Sequence, residues 1–275
     1  MIEILKAILF GIVEGITEWL PVSSTGHMIL LNEFVTMNVT KEFWDMFLVV
    51  IQLGAILAVV VLFWNKIFPF NLKDKTKPVM EKDIWIMWGK ILVSCIPAAI
   101  VGVLFDEQLD ALFYNYITVA IALIVFGIAF IVIENSNKGK KTRVHTLSNI
   151  TFKDAALIGI FQLIAAIFPG TSRSGATIVG ALLIGVSRVV AAEFTFFLAI
   201  PVMFGASLLK LVKFGFDFSG MEVAILLVGM IVAFLVSMFV IKFFMDYIKK
   251  HDFKVFGWYR IILGILVFAY FVFLA

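Results

Sequence analysis

The chain has 275 residues, of which 63% are hydrophobic and only 15% charged, with a net charge of +3 and a mean hydropathy of +1.10. Soluble domains are about 45–50% apolar and about 25% charged, so this balance excludes a soluble fold and makes most of the chain membrane-embedded. No basic face interleaved with aromatics suggests a nucleic-acid partner, and the lone Cys95 excludes an internal disulfide or a multi-cysteine metal site.

Residues 2–34 come first and are unusual. They are apolar but broken near the middle at Pro21, in the run Glu14-Gly-Ile-Thr-Glu18-Trp-Leu-Pro21-Val-Ser23-Ser24-Thr25-Gly26-His27. Proline removes an amide donor and breaks a helix, so a re-entrant hairpin of two half-helices is expected. Uninterrupted apolar spans follow at about 45–64, 84–104 and 115–133. Residues 155–186 repeat the broken pattern around Pro169, in the run Gln162-Leu-Ile-Ala-Ala166-Ile-Phe-Pro169-Gly170-Thr171-Ser172-Arg173-Ser174-Gly175. Three more spans are expected at about 189–212, 222–244 and 256–275. No small-residue cleavage pattern precedes the first motif, so no cleavable signal peptide is expected.

The two broken segments align without a gap at a spacing of 148, placing Gly11 on Gly159, Pro21 on Pro169 and Ser24 on Ser172. Loop charges orient the spans. Lys66, Lys73, Lys75, Lys77 and Lys82 crowd one loop. Lys138, Lys140, Lys141, Arg143 and Lys153 crowd a second, and Lys242, Lys249, Lys250 and Lys254 a third. The 105–114 loop instead carries Asp106, Glu107 and Asp110. The positive-inside rule puts the three basic loops in the cytoplasm and the acidic one outside. The expected fold is an all-α polytopic membrane protein, one integral membrane domain made of two inverted-topology repeats. Each repeat has one re-entrant broken-helix hairpin plus three transmembrane helices, over about 1–134 and 150–275, with a basic linker at about 135–153. Such repeats place their site at the midplane, where broken helices meet.

The charges in the breaks point to chemistry. A carboxylate or guanidinium at the bilayer centre costs about 2.5–3.5 kcal/mol on insertion scales, so such groups mark sites. Glu14 and Glu18 are i, i+4 and share a helix face. They need a cation, an arginine or a shared proton. Gly11 and Gly15 on nearly that face permit close approach of a second helix. Ser24 and His27 are i, i+3, so the imidazole can take the serine proton or position an attacking group. Ser23, Thr25 and Gly26 complete that turn. The run Gly170, Thr171, Ser172, Arg173, Ser174 can form an amide nest with a guanidinium fork for phosphate oxygens. Together these residues fit phosphoryl transfer with a divalent cation. Hydroxyls after proline are also ordinary helix caps. Paired glutamates also suit an ion-coupled transporter, but a transporter needs no Ser-x-x-His spacing with an arginine nest.

The two broken segments, with Ile51-Gln52-Leu53-Gly54-Ala55-Ile56-Leu57-Ala58, resemble the undecaprenyl-diphosphate phosphatase family (BacA/UppP type) over nearly the whole chain. The resemblance implies a bacterial inner-membrane enzyme with an inverted-repeat fold and an active site open to the periplasm or exterior. It implies hydrolysis of undecaprenyl diphosphate to the monophosphate and inorganic phosphate, recycling the carrier for peptidoglycan and conferring bacitracin resistance. It also implies a divalent cation, Mg or Ca. Carried over by residue, Ser24 is the nucleophile and His27 assists proton transfer. Glu14 and Glu18 hold the cation or orient His27 and water, and Arg173 grips the diphosphate. Ser23, Thr25, Gly26, Gly170, Thr171, Ser172 and Ser174 line the substrate. The expected partners are the polyprenyl lipid, the bilayer and a second copy in a homodimer. The other membrane lipid phosphatases, which need two separated motif histidines, are not resembled.

Overall fold

The computed structural model describes residues 1–71, 79–215 and 217–273, with the backbone alone at 106, 107 and 110. Lys73, Lys75 and Lys77 of the first basic loop, and the side chains of Asp106, Glu107 and Asp110, lie outside the described set. The helices are α1 (Ile2–Thr17), α2 (Ser24–Phe34), α3 (Lys41–Leu62), the single turn α4 (Trp64–Ile67), α5 (Lys82–Phe113), α6 (Tyr116–Asn137), α7 (Phe152–Ile167), α8 (Arg173–Leu183), α9 (Arg188–Phe214), α10 (Gly220–Ile248) and α11 (Lys254–Phe273). Six of them are long and apolar enough to cross a bilayer: α3, the first 24 residues of α5, α6, α9, α10 and α11. They coincide with the six spans expected, and the protein is an all-α polytopic membrane protein.

One connection differs from the expectation. The 105–114 stretch is not a loop, because α5 continues helically to Phe113. It holds no proline, and Pro97, which does sit in α5, leaves the helix intact. The turn before α6 is short, and Asn115 caps α6 by accepting from Thr118 N.

The two broken segments form matched hairpins. α1 and α7 are each 16 residues long, and α2 and α8 each 11. Both second arms start from a serine cap with positive φ, Ser23 at 74° and Ser172 at 66°. A non-glycine residue there is strained by about 1–3 kcal/mol. Each serine offsets this by accepting from an otherwise orphan amide, Gly26 N for Ser23 and Gly175 N for Ser172. The caps correct the sequence alignment. Pro21 and Pro169 are 148 apart, but Ser23 and Ser172 are 149 apart. The second hairpin has one more residue between its proline and its cap. Gly170, in this turn, has φ +90°, and an added Cβ would stand 2.7 Å from Val119 Cα. The structural counterpart of Ser24 is therefore Arg173, not Ser172.

Packing ties the hairpins to the spans. α1 lies on α10, and α7 lies on α5. At Gly11 a Cβ would come 2.7 Å from Gly229 O, and at Gly159 2.6 Å from Ser94 O. α3 and α9 form the centre, where Trp19 meets Phe196 edge-on at 5.1 Å and Phe63 meets Phe197 at 5.4 Å. α6 and α11 pair through Gly127 and Gly257, each facing the other's carbonyl. Buried Glu134 joins α6, α9 and the start of α11, accepting from Arg188 Nε and Nη2 and from Phe253 N. The 135–153 linker is anchored where Arg143 pairs with Asp154 of the α7 capping box. Burial pushes the Asp154 carboxyl up, but hydrogen bonds from Arg143 and Thr151 outweigh it and hold the group below its ordinary value. Exposed apolar rows remain on the outside, such as Ile121, Val125, Ile128 and Val132 on α6 and Leu227, Ile231, Leu235 and Phe239 on α10. Their three-to-four-residue spacing makes continuous stripes suited to lipid.

The tightest glycine contact is Gly54 on α3, where a Cβ would stand 2.0 Å from Met230 O on α10. Gly54→Ala must push these helices apart, at a cost of about 1–3 kcal/mol. The expected outcome is a lower melting temperature in detergent; an unchanged one would show that the α3–α10 contact is not as tight as described.

Candidate active site

Both breaks meet, and Glu18 is the point of contact. Its carboxylate accepts from Ser24 Oγ at 2.7 Å and from Arg173 Nη2 at 3.0 Å. The helix-start residues of α2 and α8 thus face each other across one carboxylate. Arg173 also donates through Nη1 to Thr195 O at 3.2 Å. Thr195 in turn bonds Thr177 Oγ1 at 2.9 Å, which steadies α8 against α9. Ser174 Oγ donates to Glu18 O at 3.3 Å and lies 3.1 Å from Ser172 Oγ. A guanidinium held by a carboxylate and a carbonyl keeps its remaining N–H groups in a set direction, which suits recognition of phosphate oxygens.

Glu14 sits one turn before Glu18, is 1% exposed, and has an Oε1 without a hydrogen-bond partner among the described residues. Such an orphaned buried acceptor is costly and calls for a proton or a cation. Thr171 is also fully buried with an unpartnered Oγ1. No cluster of three or more His, Cys, Asp and Glu side chains able to hold a metal exists among the described residues. Magnesium-type sites nevertheless use one or two carboxylates and complete their shell with substrate phosphates and water. The pair Glu14 and Glu18 fits such a half-built site.

His27 is placed differently from the sequence expectation. The Ser24 hydroxyl donates to Glu18, not to the imidazole. His27 Nδ1 lies 2.7 Å from Ser23 O and Nε2 lies 2.7 Å from the Tyr259 hydroxyl. The i, i+3 spacing is real, but a closer acceptor for Ser24 comes from across the break. Thr25 is half-buried on the same turn, and Gly26 lies under Leu123.

Two further residues were not singled out in the sequence. Arg260 of α11 is fully buried. It donates to Pro21 O at 3.2 Å in the first break, and to Gly170 O at 3.0 Å and Thr171 O at 2.7 Å in the second. A broken helix leaves carbonyls unpaired, and one guanidinium serves both breaks. Its signal was the same as that of Arg173, a charged residue inside an apolar span. Tyr259, its neighbour, carried no such signal.

An all-α membrane protein with two strained serine-capped breaks, joined through a carboxylate, an arginine and a serine, holds a polar cluster among apolar helices. The comparisons narrow the class. The profile of the family described as "Bacitracin resistance protein BacA" matches residues 7–266. The chain is 68% identical over 271 residues to an undecaprenyl-diphosphatase of Desulfitobacterium hafniense, covering 98% of this chain and 97% of that one. It is 68% identical over 270 residues to undecaprenyl-diphosphatase 1 of Clostridium acetobutylicum, covering 98% of each. It is 64% identical over 266 residues to an undecaprenyl-diphosphatase of Enterococcus faecalis, covering 97% and 96%. This chain belongs to the BacA family.

Arg260→Met removes donors from three buried carbonyls, each costing about 1–3 kcal/mol if left unsatisfied. The variant is expected to melt well below wild type in detergent, with Arg260→Lys intermediate. Equal melting temperatures for wild type and Arg260→Met would show that the carbonyls find other donors.

Proposed function

We propose that this protein is a membrane phosphatase that hydrolyses undecaprenyl diphosphate to undecaprenyl phosphate and inorganic phosphate. The observation that carries the reading is the hydrogen-bonded set Ser24–Glu18–Arg173 across the two breaks. The names of the relatives support the substrate, and they favour hydrolysis over the transporter reading. The product re-enters cell-wall polymer synthesis, and removing the diphosphate opposes bacitracin, in keeping with the family's description.

The geometry supports the following course. Glu18 accepts the Ser24 proton as the serine oxygen forms a bond to the terminal phosphorus. The P–O bond to the bridging oxygen breaks, and undecaprenyl phosphate leaves. Water then attacks the phosphoserine, and Ser24 recovers its proton as inorganic phosphate departs. Arg173 stabilises charge on the equatorial oxygens, a contribution typically worth 10²–10³-fold. Ser172, Ser174 and the unpartnered Thr171 Oγ1 complete the polar wall, with Ser23, Thr25 and Gly26 opposite. Glu14 and Glu18 would hold a divalent cation together with substrate oxygens. That ion, when bound, supplies neutralisation of diphosphate charge.

The two hairpins are read as entering from opposite faces, as inverted repeats do. Each second arm of 11 residues is about 16 Å long, half the roughly 30 Å hydrocarbon core. The basic linkers support a cytoplasmic face for the 135–153 segment and a site open to the exterior of the inner (plasma) membrane. The polyprenyl tail would lie among the apolar stripes outside the spans.

The test is phosphate release by purified protein with undecaprenyl diphosphate. Ser24→Ala and Arg173→Ala are each expected to lower the rate by about 10²-fold or more, and a chelator to lower it reversibly. Quenched turnover should trap phosphate on Ser24. Wild-type rates in both variants would refute the assigned roles, and phosphate-free Ser24 would leave water as the direct attacker.

A further inference from the structure

We propose that Tyr259 is a positioning residue for the reaction, acting through His27. The inference rests on the phosphatase reading. A backbone carbonyl only accepts, so the 2.7 Å contact between His27 Nδ1 and Ser23 O places a hydrogen on Nδ1. The neutral ring then has its lone pair on Nε2. The Tyr259 hydroxyl stands 2.7 Å from that atom and donates to it. The two rings are near parallel, 8° apart with centroids 5.6 Å apart, so the phenol also limits rotation of the imidazole.

Tyr259 is itself well placed to do this. The next residue, Arg260, is buried and bonded to carbonyls in both breaks. The phenol therefore keeps a constant position relative to Ser24 and Arg173, although it rises from a different helix. Tyr259 is partly exposed, and His27 is only half-buried. The Tyr259 hydroxyl occupies that lone pair, and Nδ1–H in turn holds the carbonyl of Ser23, the strained cap just before Ser24. His27 and Glu18 thus divide the work of placing Ser24. Glu18 accepts from the serine hydroxyl, and His27, its tautomer set by Ser23 O and its ring held by Tyr259, fixes the turn that carries the serine.

Tyr259→Phe keeps the ring contact and the Arg260 clamp but removes the hydroxyl. Loss of one orienting hydrogen bond is expected to lower kcat about tenfold while KM stays within about twofold. The second readout needs no catalysis. Diethylpyrocarbonate attacks the unprotonated imidazole nitrogen, so His27 should be carbethoxylated faster in Tyr259→Phe than in wild type. His145 and His251, both exposed, serve as internal standards by peptide mass spectrometry. Unchanged His27 labelling would overturn the placement of the lone pair. Faster labelling with unchanged kcat, or a change in KM alone, would overturn the role in the reaction. Absence of hydrolysis by wild type would refute the phosphatase reading instead, and the labelling comparison would still report on the tautomer.

Discussion

Two helices broken inside an apolar environment leave backbone carbonyls with no water to bond, and everything in this fold answers that problem. Arg260 answers most of it, donating to Pro21, Gly170 and Thr171 from a fully buried position. Irregular backbone at membrane depth is tolerated only where protein covers it or water reaches it. Here, with Ser174 Oγ serving Glu18 O and His27 Nδ1 serving Ser23 O, much of the cover is one guanidinium from α11. Because its bonds reach both breaks, the breaks are held in one relative position, and Glu18 can then touch Ser24 and Arg173 at once. A pairing between residues 155 positions apart follows from where the carbonyls point.

The site also illustrates how strain and function coincide. Ser23 and Ser172 adopt backbone angles that glycine would accept freely. Glycine there would lose the side-chain oxygen that caps the following amide. Serine retains the cap at the expense of the backbone, and each α-helix that results begins with a residue of the site. The same turn thereby presents Ser24 in one hairpin and Arg173 in the other.

Much of this was legible in the chain itself. The six spans stood out by apolar length, and the two breaks by their prolines and hydroxyls. Glu14, Glu18 and Arg173 were conspicuous because charge in such surroundings is costly. Three features were not legible, each for a physical reason. The one-residue offset between the hairpins depends on the positive φ of Gly170, which a gapless alignment cannot see. Local spacing makes His27 the partner of Ser24, but local spacing knows nothing of a carboxylate brought back across the break. The continuation of α5 to Phe113 ran against a reading of Asp106, Glu107 and Asp110 as loop residues, since charge does not by itself end a helix. Arg260 is legible by the same rule as Arg173, although no break surrounds it in the sequence. Tyr259 had no signal at all, since a tyrosine in an apolar span is unremarkable until its hydroxyl is seen to meet a histidine.

The equivalence of Ser24 and Arg173 has a bearing on robustness. Two hairpins of matching arms could each carry the same working part, so that damage to one is masked by the other. Here they carry unlike groups, a hydroxyl on one side and a permanent cation on the other. Neither half can deputise for its twin. The two hairpins match in shape yet carry no redundancy, and tolerance of mutation at these two positions should be that of a molecule with a single hairpin.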